Sequence, residues 1–251
     1  MKIKFLGTAG ARFVVAKQLR ASGGTIVQTE KRTFIIDPGP GTLARLAKSR
    51  PKIDVMKTDG VILSHIHLDH SNDANIVIDA FTQGGLSPKG FLFTTKEALY
   101  GESRVILSYL TKFLNRIETF SHKEKITEGD FEITPFRHKH TAETYGLKIK
   151  SGGKTVSFVI DTLFFEDLKA YYEESDILII NCVRFEPKEG IMHLSAKDAE
   201  ELIKAVKPKK AILTHFGMTM LRAKPFVVAS EMSERTGIEV IAASDGMSLE
   251  I

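Results

Sequence analysis

The sequence predicts an α/β fold with two β-sheets packed between helical layers. Short apolar runs such as residues 60–64 and Ile177–Asn181 suit strands buried on both faces. Segments with helix-start and helix-stop signals are interspersed among them. The chain of 251 residues is long enough for many such strands in one domain, residues 1–251, with a substantial core and no need of disulfides.

In chain order, residues 2–6 read as a first strand, broken by Gly7-Thr8-Ala9-Gly10. Residues 25–29 and 33–37 read as a hairpin pair turning at Glu30-Lys31-Arg32, and Asp37-Pro38-Gly39-Pro40-Gly41 is a strong stop. A helix over 42–49 and the strand over 60–64 follow. Residues 72–81 are expected to be helical, residues 91–94 a strand, and residues 97–114 a helix broken at Gly101. The stretch 84–120 is expected to serve as a packed helix rather than as a wall of the cleft. Further strands are expected over 131–136, 145–150, 155–160, 177–181 and 211–214. Ser195-Ala196-Lys197-Asp198 reads as a capping box, with Asp in place of the usual Glu, ahead of a helix over 199–206. Pro225 suits the first turn of a last helix that stops at Gly237.

Composition excludes several classes. Cys182 is the only cysteine, which rules out an intrachain disulfide and a Cys-rich zinc knuckle. A reducing, cytoplasmic setting is therefore expected. The apolar run at the N-terminus is too short for a signal peptide, and no window approaches the roughly 18 apolar residues of a membrane-spanning helix. The net charge of +4 arises from scattered Lys and Glu, which favours a solvated surface over a nucleic-acid footprint. No aromatic-rich basic stretch of the RNA-recognition type is present, and a homo-oligomer stays open.

The chemistry concentrates after the strand at 60–64. His65 and His67 lie two apart in extended chain, so both imidazoles can face one metal ion. Asp69 and His70 follow at once, so the chain must turn there, and that turn can aim both at a second ion. Imidazole and carboxylate suit zinc, manganese or iron. Four such groups in six residues are costly to bury without a purpose. Asp37 can orient a ligand histidine or simply form the turn before Pro38. His122 reads as a surface residue and Cys182 as a small buried hydrophobe.

The pattern His65-x-His67-x-Asp69-His70 resembles the signature of the metallo-β-lactamase fold superfamily, with Phe5-Leu6-Gly7-Thr8, Asp37-Pro38-Gly39 and Asp245-Gly246-Met247 extending the likeness over nearly the whole chain. The resemblance implies a four-layer αββα sandwich and two divalent metal ions. One ion would take His65, His67 and His140, the other Asp69, His70 and His215, with Asp161 and a water or hydroxide between them. His138 rivals His140, because the two share a face, but the distance to Tyr145-Gly146 favours His140. Apart from the resemblance, Asp161 would read as a helix N-cap and His215 as a rim residue of a strand end. Two cations sharing a water lower its pKa and make hydroxide available near neutral pH.

The resemblance also bears on substrate. His67 argues against the di-iron oxygen-reductase branch, which usually carries Glu there. His193 precedes a capped helix, as in phosphodiesterase branches such as ribonuclease Z, where that histidine assists at the phosphate; by this likeness His193, Asp69 and Asp161 carry the catalysis. Only about twenty residues separate His140 from Asp161, a span that a hairpin fills, so the long tRNA-gripping arm of ribonuclease Z has no room. The chain is more similar to PhnP-type cyclic phosphodiesterases, although Cys182 alone cannot reproduce their extra cysteine-containing zinc site. The expectation is a dinuclear phosphodiesterase acting on a small or cyclic phosphodiester. The alternatives are an RNA-processing nuclease and a hydrolase of thioesters or lactones.

Overall fold

The computed structural model describes the chain from Met1 to Ile251, the side chain of Ala11 excepted. The strands are β1 (Lys2–Phe5), β2 (Thr25–Gln28), β3 (Thr33–Ile36), β4 (Gly60–Ile62), β5 (Phe91–Thr94), β6 (Arg116–Thr119), β7 (Ile126–Glu128), β8 (Phe131–Arg137), β9 (Tyr145–Ser151), β10 (Lys154–Val159), β11 (Ile177–Asn181), β12 (Lys210–Thr214), β13 (Glu239–Ala242) and β14 (Ser248–Glu250). The helices are α1 (Ala11–Ala16), α2 (Thr42–Lys48), α3 (Leu68–Ser71), α4 (Ala74–Thr82), α5 (Lys96–Tyr100), α6 (Leu168–Tyr171), α7 (Ala196–Val206), α8 (Met218–Arg222) and α9 (Pro225–Thr236).

Two seven-stranded sheets result, ordered β14-β1-β2-β3-β4-β5-β6 and β13-β12-β11-β10-β9-β8-β7. Each sheet is part antiparallel and part parallel: β3 to β6 run parallel in the first, β10 to β13 in the second. Alternation along the strands explains the layers. In β11, Ile177 and Ile179 face the core between the sheets while Leu178 and Ile180 face the helices on the other side. In β4 and its continuation, Ile62 points into the inter-sheet core while Val61 and Leu63 point to the outer cluster under α4. Both faces are covered, so these strands are apolar throughout. Phe34 of the first sheet stacks on Phe131 of the second with ring centroids 4.6 Å apart. The arrangement is the αββα sandwich.

Most expected elements are present within a residue or two. Ser195 and Asp198 form the capping box at α7, and Gly237 ends α9 in the left-handed region that an L side chain rarely adopts. The expected helix over 97–114 stops early. After α5 the chain runs without helix to a 3-10 turn at Leu110–Phe113. The Asn75 side chain explains the departure: its amide donates to Val105 O and accepts from Leu107 N, giving the segment backbone partners that a helix would otherwise supply. Leu110 and Ile106 are buried in the outer cluster of the first sheet, and no residue from 84–120 lines the cleft described below.

Strands β6, β7, β13 and β14 and helix α1 lie outside the expectations. All four of those strands are sheet edges, and their mixed residues, such as Arg-Ile-Glu-Thr in β6, bury only in part. Helix α1 lacks a side-chain cap and contains Val14-Val15, a β-branched pair that weakens a helical reading.

Candidate active site

The candidate residues meet where several strands end. Asp37 follows β3, His65 and His67 follow β4, His140 follows β8, Asp161 follows β10, and His215 follows β12. Parallel strands deliver their C-terminal ends to one rim, a usual location for sites in such sheets. The turn after His67 is the single-turn helix α3, which carries Asp69 and His70, with Ser71 Oγ donating to Ile66 O. Two backbone positions at the rim are forced. Asp37 and His215 both have positive φ, 50° and 58°, which costs free energy that the surroundings must offset. A Cβ on Gly10 would sit 2.1 Å from the His215 carbonyl oxygen, so only glycine lets this loop press against that turn. Asp245 anchors the same loop by accepting from Thr8 N, Thr8 Oγ1 and Ala21 N at 2.7–2.9 Å.

The side chains form two clusters with one shared member. Ligand atoms of His65, His67 and His140 lie within 4.8 Å of one another, and so do those of Asp69, His70 and His215. In the first cluster His67 Nδ1 is 3.2 Å from His65 Nε2 and 3.1 Å from His140 Nε2. In the second, Asp69 Oδ2 is 3.7 Å from His70 Nε2 and 3.5 Å from His215 Nε2. Asp161 Oδ2 lies between them, 3.4 Å from both His70 Nε2 and His215 Nε2 and 4.0 Å from His140 Nε2. His193 Nδ1 is 3.6 Å from the same oxygen.

His138 is elsewhere. It is buried, with Nε2 2.6 Å from the Tyr172 hydroxyl, and a Cβ on Gly146 would collide with both. It braces the hairpin beneath the site, and burial pushes its pKa down to about 4. The span from His140 to Asp161 holds only the antiparallel hairpin β9–β10, turning at Gly152-Gly153.

Supporting contacts explain how the ligand rings are aimed. Asp37 Oδ2 is 2.9 Å from His70 Nδ1, and Asp37 also accepts from Ser64 N and Ser64 Oγ at 2.7 Å each. Ser64 Oγ in turn lies 2.9 Å from His65 Nδ1. Asp37 thus orients one ring in each cluster, one directly and one through Ser64, and leaves both Nε2 atoms free to face inward. Met192 O does the same for His140 Nδ1 at 2.9 Å. Asn181, at the end of β11, donates from Nδ2 to Asp161 Oδ1 at 2.9 Å and so fixes the carboxylate with Oδ2 inward. Ser64 and Asn181 are not among the residues that the sequence singles out; the only signal is a polar residue closing an apolar strand run.

Electrostatics divide the site. Burial drives His65 and His67 below the ordinary imidazole pKa and takes His140 to about 4, so all three are neutral electron-pair donors. His70 goes the other way: burial opposes its charge, but Asp69 and Asp37 outweigh that and hold it well above the ordinary value. Burial likewise opposes ionisation of Asp161, yet His215 and His193 hold its carboxyl well below the usual range. The Nε2 atoms of His70 and His215 are buried without a hydrogen-bond partner among the described residues. Buried nitrogens left unpaired beside ionised carboxylates are what a cation would satisfy, displacing the proton on His70. The donor set therefore fits divalent metal ions in both clusters.

Replacing Asp37 with alanine is expected to weaken metal retention about 10–100-fold, because both His65 and His70 lose the partner that fixes their rings. Metal content after dialysis against graded chelator measures it; retention equal to that of the wild type would show that the rings need no such support.

A cleft of about 640 Å³ opens over the shared carboxylate, lined by Arg12, His67, Asp69, His140, Asp161 and His193 among others. A model of the β-lactamase superfamily domain matches residues 32–216, a stretch that contains every histidine and carboxylate of the two clusters. The chain belongs to the β-lactamase superfamily. It is 30% identical to protein MJ1374 of Methanocaldococcus jannaschii, over all of this chain and 95% of that one. It is 25% identical to the probable metallo-hydrolase YhfI of Bacillus subtilis over 86% of each chain. The crystal structure of YhfI, a metallo-β-lactamase fold protein, superposes over 100% of this chain and 99% of that one with a TM-score of 0.83 at 23% identity. A diphosphatase of the PhnP family superposes over 100% and 98% with a TM-score of 0.72 at 18% identity. Like its superfamily, the chain has clusters able to hold metal ions. Among the described residues no helix is long and apolar enough to cross a membrane.

Proposed function

We propose that this protein is a dinuclear metal-dependent hydrolase of small or cyclic phosphodiesters. One divalent ion, zinc by preference of the donor set and manganese or iron otherwise, would be held by His65, His67 and His140. The other would be held by Asp69, His70 and His215, with Asp161 serving both. The observation that carries the reading is the central position of Asp161 Oδ2, within 4.0 Å of nitrogens from both clusters and 3.6 Å from a histidine that belongs to neither set of ligands. When bound, such a pair of cations lowers the pKa of a shared water and offsets negative charge on phosphoryl oxygens.

The remaining work falls to the chain's own groups. Asp161 is fixed by Asn181, so its inward oxygen needs no reorganisation during the reaction. Burial disfavours a charged His193, but Asp161 outweighs it and raises the pKa in the metal-free site, and the ring stands where it can donate a proton to the leaving oxygen of a phosphodiester. Arg12 on the cleft wall offers a guanidinium suited to a phosphate. The likeness to a PhnP-family diphosphatase supports attack at a phosphoryl group over a carboxylic ester, and the short β9–β10 hairpin supports a small substrate over tRNA.

Turnover of bis-p-nitrophenyl phosphate and of a thioester, each with zinc or manganese added, tests this. The phosphodiester is expected to be hydrolysed and the activity to vanish with chelator and return with metal. Preferential thioester turnover, or phosphodiester turnover indifferent to chelator, would overturn the assignment.

A further inference from the structure

A second cavity, of about 490 Å³, is lined by Lys4, Gln18, Ser22, Arg45, Lys48 and Arg50 among others. It shares no lining residue with the cleft over the metal clusters, and none of its lining residues is acidic. Four cations therefore face one space with no anion among them.

Lys4 makes this more than a solvated basic surface. It sits in β1 between Ile3 and Phe5, which point into the inter-sheet core, so it faces the outer side of the sheet. There it lies opposite Ile26, a member of the apolar cluster that also contains Leu46 of α2. Only 8% of Lys4 is exposed. An ammonium has three donors, and the structure gives this one a single partner, the Arg50 carbonyl oxygen at 2.9 Å. None of Lys4, Arg45, Lys48 and Arg50 makes an ion pair among the described residues. Lysines are rarely buried unless paired, because the lost hydration has to be replaced by a counter-charge. Arg45 and Lys48 lie three apart on α2, on one helix face, and Arg50 follows the helix end. Guanidinium forks and ammonium groups together match phosphate oxygens. The cavity opens to solvent, and its volume is that of a small-molecule site.

We propose that this cavity binds a small polyanion of nucleotide size, carrying at least two negative charges on phosphate groups, at a site separate from the metal clusters. The proposal does not depend on the hydrolase reading.

Titration calorimetry with inorganic pyrophosphate tests it, using the metal-loaded wild type, Arg45→Gln/Lys48→Gln, Lys4→Met and Asp161→Ala. Both altered arginine and lysine positions are on the surface of a helix, so the double variant is expected to keep its fold and metal content. Saturable binding is expected in the wild type and in Asp161→Ala, with at least tenfold weaker binding in the double variant and in Lys4→Met. Should Lys4→Met fail to fold, the double variant alone decides. Equal affinity in the double variant and the wild type would overturn the site. So would the loss of all binding in Asp161→Ala, which would assign the pyrophosphate to the metal clusters instead.

Discussion

Asp161→Ala is expected to lose metal from both clusters together and to lower phosphodiester turnover by on the order of 10³-fold or more, a larger effect than the ~10–100-fold of losing an outer partner such as Asp37. The reason is position. The carboxylate is only 2% exposed, and its inward oxygen faces the inward Nε2 atoms of His70 and His215 in one cluster and of His140 in the other. Its loss leaves two cations without a shared counter-charge in a buried space, where unscreened repulsion is costly. Binding at either cluster should therefore weaken even though every histidine remains. Metal stoichiometry by elemental analysis, read beside turnover and the melting temperature, separates this from unfolding. A folded variant that retains two ions per chain and turns over within threefold of the wild type would remove Asp161 from the centre of the site. Asn181→Leu should produce a weaker form of the same defect, since the carboxylate then loses the amide that fixes its outer oxygen.

How much of this was legible in the sequence depends on the range of the contact concerned. His65 and His67 could be read as partners because two residues of extended chain put both rings on one side. Asp69 and His70 could be read because a turn had to follow. His140, Asp161 and His215 needed the likeness to a known family, since nothing local tells a metal ligand at a strand end from an N-cap or a rim residue. Ser64 and Asn181 were beyond reach: each matters only because a neighbouring strand brings a carboxylate to it. The same limit applies to the fold. Central strands such as β4 and β11 announce themselves because both faces are buried, whereas edge strands β6 and β14 carry the mixed residues of a half-exposed surface. The segment after Gly101 failed for another reason: a side chain from α4, Asn75, captured backbone groups that helix propensity alone would have assigned to a helix.

His193→Ala is expected to slow phosphodiester cleavage by roughly 10²–10³-fold while leaving metal content unchanged, within the range for loss of a general acid. His193 lines the cleft beside Asp161, 3.6 Å from its inward oxygen, and packs edge-on to the His140 ring with centroids 5.0 Å apart. It follows Met192, whose carbonyl accepts from His140, and precedes the capped start of α7, so its backbone is held from both sides. Removing the ring should thus spare the architecture and delete a proton donor. The sign of the pH effect follows from that role. A general acid works while protonated, so wild-type turnover is expected to decline as pH rises through the His193 pKa, which Asp161 raises against burial in the metal-free site and bound cations would lower again. The alanine variant should lack that alkaline limb. The leaving group provides a second reading: p-nitrophenolate departs without a proton, whereas an alkoxide does not, so the loss should be larger for an alkyl diester than for bis-p-nitrophenyl phosphate. An equal loss on both substrates with an unchanged pH profile would limit His193 to holding the substrate, and an unchanged rate would remove it from the reaction.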